Sequence, residues 1–182
     1  MGAISVKNFD ISFITRTKEI IEKYEDYSGG YEFTLLINSL LGLLILPKEF
    51  SEQNKRKFKY EFLKQPLETF PILVDIFRNY TIDVYYEDGK AFKQKKFSFK
   101  SGIKQIEIPL QKISVEQLLR RIRNGIAHMN ITPTQFDGKW DGIIIRNLKN
   151  YKYCNFETYL TYKELRDFAL FIANKYEKTI IR

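Results

Sequence analysis

The run RIRNGIAHMN, residues 121–130, holds the only histidine of the chain, His128, with Arg123 and Asn124 a few positions upstream. These residue types in this order can serve phosphodiester chemistry. An arginine neutralises a phosphate oxygen as a planar fork of N–H donors. A histidine is the side chain whose ordinary pKa allows proton transfer near neutral pH. A polar residue between them can orient the phosphate or the histidine.

The element that positions them reads as a helix. Ser114 with Gln117 three residues later forms a capping-box pattern. Val115, Leu118, Leu119, Ile122, Ile126 and Met129 then recur at helical spacing and make one apolar stripe. Arg120, Arg121, Asn124 and His128 fall on the far side, and Arg123 sits at the border. On an ideal helix Arg123 and His128 are about 140° apart. They meet only through the reach of the arginine, a distortion at Gly125, or a second copy of the chain. The plain alternative is a core-packing helix with a solvated basic face. A buried structural histidine fits poorly, because His128 lies opposite the stripe. Gly125 in a helix interior costs roughly 1 kcal/mol relative to alanine. It predicts a close backbone approach, by a partner helix or a phosphate.

RNGIAH resembles the Arg-x(4–6)-His signature of HEPN domains, including the polar residue after the arginine. A second stretch, TLLINSLLGLLILPKE at 34–49, resembles the second helix and its proline stop in single-domain HEPN nucleases of bacterial and mobile-element genomes. The element order agrees: amphipathic helix, very apolar helix, motif helix, strands, final helix. The resemblance implies a small helical bundle, often dimeric, and in many members a metal-independent ribonuclease acting as a toxin or in phage defence. Arg121 and His128 also satisfy the family spacing and share a helix face. Arg123 is favoured because Asn124 follows it.

Composition sets the outer bounds. The chain has 182 residues, 44% of them hydrophobic, with a formal net charge of +8. That suits one globular domain over 1–182 and an anionic partner, nucleic acid being the commonest. The single cysteine, Cys154, excludes an internal disulfide. A zinc site would need Cys154, His128 and distant carboxylates together, so no metal and no cofactor is expected. Phosphate-binding glycine loops are absent from the sequence. No signal-peptide pattern opens the chain, and the apolar run 35–46 suits a buried helix better than a membrane span. The expectation is a cytoplasmic protein with no membrane contact.

Along the chain, residues 9–25 read as a first helix with Phe9, Phe13, Ile14, Thr17, Ile20, Ile21 and Tyr24 as its stripe, capped by Asn8 or Asp10. After Gly29 and Gly30, a second helix runs from Tyr31 to Leu46, apolar nearly all round and ended by Pro47. Its polar Asn38 either lines a site or satisfies neighbouring backbone. Residues 48–64 read as an amphipathic helix with a basic face of Lys55, Arg56, Lys57, Lys59 and Lys64, and 72–80 as a short helix. A hairpin is expected around Asp88–Gly89, followed by Lys93, Lys95, Lys96 and Lys100 interleaved with Phe92, Phe97 and Phe99. After the motif, Phe136, Asp137–Gly138, Trp140, Ile143–Ile145 and Phe156–Leu160 read as a second hairpin region. Thr161 and Glu164 form another capping box, opening a last helix over 162–178. The fold class is therefore mainly α: a HEPN-type helical bundle with β-hairpin insertions before and after the motif helix.

The function this points to is a metal-independent endoribonuclease, of toxin or phage-defence type, cutting RNA by attack of its own 2′-hydroxyl. Arg123, Asn124 and His128 are the candidate catalytic residues. Arg120, Arg121 and Asn38 are candidate auxiliary RNA contacts. One chain holds one histidine, so a two-histidine mechanism needs a homodimer with a composite groove. The competing reading is a catalytically inactive HEPN-like module that binds nucleotide, RNA or a partner protein. An antitoxin partner, including one that modifies Tyr151 or Tyr153, is compatible with either. A DNA-binding regulator would need an exposed recognition helix after a tight turn, and none is evident.

Overall fold

The computed structural model describes residues 9–23, 31–53, 60–78, 80–81, 84–87, 91–93, 113–149 and 153–180. Among these, helices predominate: α1 (Phe9–Lys23), α2 (Glu32–Gln53), α3 (Glu61–Lys64), α4 (Pro71–Ile76), α5 (Val115–Ala127) and α6 (Tyr162–Ile180). The strands are β1 (Tyr80–Thr81), β2 (Val84–Glu87), β3 (Ala91–Lys93), β4 (Ile131–Phe136), β5 (Lys139–Lys149) and β6 (Tyr153–Thr161). Contacts divide the chain into two compact units, residues 1–62 with 166–182, and residues 63–165.

In the first unit α1 packs on α2. Ile14, Thr17 and Ile21 of α1 are buried, as are Phe33, Leu36, Ile37, Leu40, Leu43 and Leu44 of α2. From α6, Phe168, Ala169, Ile172, Ala173 and Tyr176 join this unit, each essentially inaccessible. The Tyr176 ring meets Tyr60 and Phe62 edge-on at centroid distances of 4.9 and 5.4 Å. Glu177 ties α6 to α1, accepting from Lys18 Nζ at 2.9 Å and Thr15 Oγ1 at 3.0 Å. That bond favours the charged ammonium and raises the Lys18 pKa, against the opposing pull of burial.

Several expectations need correction here. Pro47 lies inside α2, which continues to Gln53. A proline removes one N–H from the helix ladder, and the chain can resume the helix after that loss. Ile20 is exposed, so the α1 stripe is narrower than its spacing implied. Asn38 faces solvent and satisfies no buried backbone, and α2 is correspondingly not enclosed on all sides. The 48–64 helix is divided between the end of α2 and the single turn α3, and 72–80 contracts to α4, with Tyr80 already in β1. Asn8, Tyr24, Gly29, Gly30, the basic run 55–59, Asp88–Gly89, Lys95–Lys100 and Tyr151 lie outside the described residues. No helix among those described is long and apolar enough to cross a membrane.

The second unit is a sheet with α5 against it. Strand order is β3-β2-β6-β5-β4, all neighbours antiparallel, with β1 also pairing β6. The hairpins expected separately before and after α5 thus join into one sheet, because β2 pairs with β6 at Val84↔Cys154 and Tyr85↔Tyr153. The β4–β5 turn has positive φ at both Asp137 (52°) and Gly138 (72°). Those angles match the twist of the flanking strands and are accessible to Asp and Gly at low cost. On the sheet's far side, Arg146 on β5 reaches Glu157 of β6 at 2.6 Å and Thr132 of β4 at 3.0 Å. Nearby, Tyr159 donates to Asp141 at 3.3 Å, and burial together with the Asp141 charge pushes its phenol up. It remains a neutral hydrogen-bonding group across the physiological range.

Helix α5 is fastened at both ends. At its start the Ser114–Gln117 capping box is complete, both bonds at 3.2 Å. The preceding backbone is stitched to the 65–67 segment, with Leu67 N–H donating to Ile113 O and Val115 N–H to Gln65 O, both at 3.0 Å. Val115, Leu118, Leu119, Ile122 and Ile126 are buried as the spacing predicted, each contributing about 1.5–3 kcal/mol. Gly125 is where α5 meets β5. A Cβ there would stand 2.6 Å from Ile145 Cγ2 and 2.7 Å from the Arg146 carbonyl oxygen. The close approach read from this glycine is therefore made by the chain's own strand, and neither a partner helix nor a phosphate is needed to explain it.

Because one of those neighbours is backbone, Gly125→Ala should destabilise the protein by about 1–2 kcal/mol despite alanine's better helix propensity. The expected fall in melting temperature is roughly 2–8 °C. Calorimetry checks the sign, since an uncrowded helix glycine would instead gain about 1 kcal/mol on the same change.

Candidate nucleolytic site

Burying the apolar side of α5 leaves its opposite side to the polar residues. Arg120 is exposed, while Arg121, Arg123 and Asn124 are half-buried. Arg121 keeps its Nη1 out of solvent. The Arg123 guanidinium donates through Nη2 and Nε to Asn124 Oδ1, at 3.1 and 3.4 Å. Asn124 therefore engages the arginine side chain, a contact different from the expected orientation of the phosphate or of His128. The two donors held this way restrict the guanidinium, and its remaining N–H groups can still meet an anion. Arg120, Arg121 and Arg123 sit within one turn of one helix, which gathers three positive charges there.

His128 ends the helix. Its backbone (φ −96°, ψ 13°) makes it the C-cap, its N–H donates to Asn124 O at 3.0 Å, and its ring is exposed. The next two residues close the helix by a specific pattern. Met129 N–H donates to Ile126 O at 3.0 Å, and Asn130 N–H reaches back to Gly125 O at 2.8 Å. These are the paired bonds of a Schellman ending, which requires a left-handed residue between them. That residue is Met129, at φ 55°. The left-handed turn removes Met129 from the apolar stripe and exposes it to 75%, a correction to its expected burial. Asn130 O then accepts from Arg146 N–H at 2.9 Å, so the turn carrying His128 is tied to the strand that Gly125 abuts.

The structure thus brings Arg123 and Asn124 together and fixes His128 at the helix end. It forms no hydrogen bond between Arg123 and His128. Asn38 belongs to α2 in the first unit. Cys154 is buried in β6 with its Sγ 3.2 Å from Phe156 O, whereas His128 is exposed, so the two do not form the core of a zinc site. Among the described residues no group of three or more His, Cys, Asp and Glu is placed to hold a metal ion.

Two residues of this neighbourhood escaped the sequence reading. Arg146 lies within a plain apolar run, and its clamp on β4 and β6 appears only once the strand register is known. Met129 continues the helical spacing, and nothing in its type signals a left-handed conformation.

No curated protein and no solved structure gives a significant match to this chain. The family model described as HEPN pEK499 p136 matches residues 1–182, the whole of it. The chain belongs to that HEPN family.

Proposed function

We propose that this chain is a metal-independent endoribonuclease of toxin or phage-defence type. It acts as one functional domain over residues 1–182 and works as a homodimer in the cytoplasm. The observation that carries the reading is the pairing of Arg123 with Asn124 on the polar side of α5, one turn before an exposed C-cap histidine, in a chain of HEPN family.

The chemistry follows from these groups. RNA brings its own nucleophile, the 2′-hydroxyl beside the scissile phosphorus, and proximity supplies much of the rate. A base takes the 2′-hydroxyl proton, and the 2′-oxygen forms a new bond to phosphorus. The bond to the 5′-oxygen breaks, and that oxygen leaves with a proton from an acid. The products are a 2′,3′-cyclic phosphate and a 5′-hydroxyl. Arg123 neutralises the charge that builds on the phosphoryl oxygens, held by Asn124. His128 serves as base or acid, or positions the phosphate. One copy offers one histidine, at about 140° from Arg123 on an ideal helix. A second copy with its α5 adjacent supplies the other, and the RNA lies in the groove between them. Arg120 and Arg121 extend the positive surface for flanking phosphates, and Asn38 is the remaining candidate contact. The same reading allows a partner antitoxin that silences the site.

Arg123→Ala and His128→Ala should each lower the cleavage rate by about 100- to 1,000-fold. The melting temperature should stay unchanged, because neither side chain belongs to the apolar stripe. Asn124→Ala should cost less, about tenfold, through a less restricted Arg123, and Arg121→Ala should be milder than Arg123→Ala. Full activity of His128→Ala in a gel assay on labelled RNA would remove His128 from the chemistry, and wild-type protein that shifts RNA but leaves it intact would return the chain to the reading of a nucleotide- or RNA-binding module.

Cleavage should persist in EDTA and yield 2′,3′-cyclic phosphate ends, and one 2′-deoxyribose at the cut position should block it. Loss of activity in EDTA with rescue by magnesium, or equal cutting of the deoxy substrate, would contradict the mechanism. Light scattering at micromolar protein should report a dimer, and an active monomer would remove the composite groove.

A further inference from the structure

Met129 combines two features that oppose the ordinary preferences of a methionine. It holds a left-handed backbone at φ 55°, a conformation that glycine or asparagine adopts far more readily. It also turns a large apolar side chain 75% into solvent, directly beside His128. Glycine at the same position would complete the same Schellman ending without strain and without exposed apolar surface. A strained conformation kept where a relaxed residue would serve the fold as well points to work for the side chain.

The geometry points to Met129 as a substrate-contacting residue, whose thioether and methyl group pack on the face of an unpaired nucleobase next to the scissile phosphate. This inference rests on the ribonuclease reading and adds the substrate class, single-stranded RNA. Its position is set by the backbone: Met129 N–H and Asn130 N–H are both spent on α5 carbonyls, and Asn130 O is held by Arg146. The side chain is therefore carried on a fixed turn and does not swing with a loop. Methionine is unbranched and polarisable, and it makes favourable contacts with flat π-faces at little demand on their identity. Only a base out of its duplex stack offers such a face. The three arginines of α5 favour the phosphates of the same strand, so charge and apolar contact lie on consecutive parts of one helix and its ending.

The test measures binding of a short single-stranded RNA with 2′-O-methyl riboses, which cannot be cut, by fluorescence anisotropy. Met129→Gly and Met129→Asn both suit the left-handed turn and both remove the apolar contact. Each should weaken binding by about five- to tenfold, while the melting temperature of Met129→Gly stays level or rises by up to about 3 °C. Met129→Leu keeps an apolar side chain and should bind within about twofold of the wild type. Wild-type affinity and cleavage in Met129→Gly would overturn the inference and leave the ribonuclease reading intact. So would a loss of affinity that light scattering traces to a dissociated dimer, which would make Met129 an interface residue. Equal binding of the matching duplex, with equal sensitivity to Met129→Gly, would overturn the unpaired base. A wild-type protein that neither binds nor cuts RNA would overturn both readings together.

Discussion

The contact on which the candidate site depends is the seating of Gly125 on β5. With the Arg146 carbonyl oxygen and Ile145 Cγ2 less than 3 Å from where a Cβ would stand, only a glycine lets α5 come this close to the strand. Everything downstream inherits that placement. The Gly125 carbonyl receives the Asn130 N–H, the Asn130 carbonyl receives the Arg146 N–H, and His128 sits inside the loop these bonds close. Arg146 is held in turn from both neighbouring strands, by Thr132 of β4 and by Glu157 of β6. The end of the helix is thus anchored by backbone bonds to an inner strand of a sheet, which is a firmer base for a side chain than a free loop.

This arrangement separates the buried residues from the candidate site residues along a single helix. The buried side of α5, from Val115 to Ile126, supplies apolar burial, and the capping box and the Schellman ending satisfy its terminal backbone groups. The other side carries Arg120, Arg121, Arg123 and Asn124 and contributes little to the core. Pairing Arg123 with a neutral asparagine keeps the arginine's full charge available to an anion, where a carboxylate partner would have cancelled it. Arg146 shows the contrast: its charge is matched by Glu157 at 2.6 Å, so it serves the sheet and not a ligand.

What was legible in the sequence was mostly local. The two capping boxes, the buried stripe of α5 and the Asp137–Gly138 turn all depend on residues within a turn or two of each other, and local patterning reports them directly. The polar side of α5 followed from the same periodicity. What was not legible was non-local or conformational. The pairing of β2 with β6 joins residues about 70 positions apart, and no pattern in either strand encodes its partner. Gly125 announced a close approach but could not name the neighbour, which is a strand that follows it. Pro47 was read by its usual effect and lies within a helix whose remaining bonds outweigh one lost donor. Met129 satisfied the stripe by spacing, yet the helix had already ended at His128.

The end of the helix at His128 also bears on the proposal that two copies share one site. On a regular helix the reach from Arg123 to a histidine five residues on must wrap about 140° of the circumference. The structure does not relieve that separation, because α5 remains helical up to Ala127 and Asn124 keeps the guanidinium beside its own side chain. A distortion at Gly125 would have been one way to bring the two together, but that glycine is spent on packing against β5. Of the three routes by which Arg123 and His128 could act on one phosphate, bending the helix is therefore closed. The remaining routes are an arginine released from Asn124 by the incoming phosphate, and a second copy facing the first. Under the proposed function both routes put the phosphate over the polar side of α5, where Arg120 and His128 are exposed and Arg121 and Arg123 half-buried.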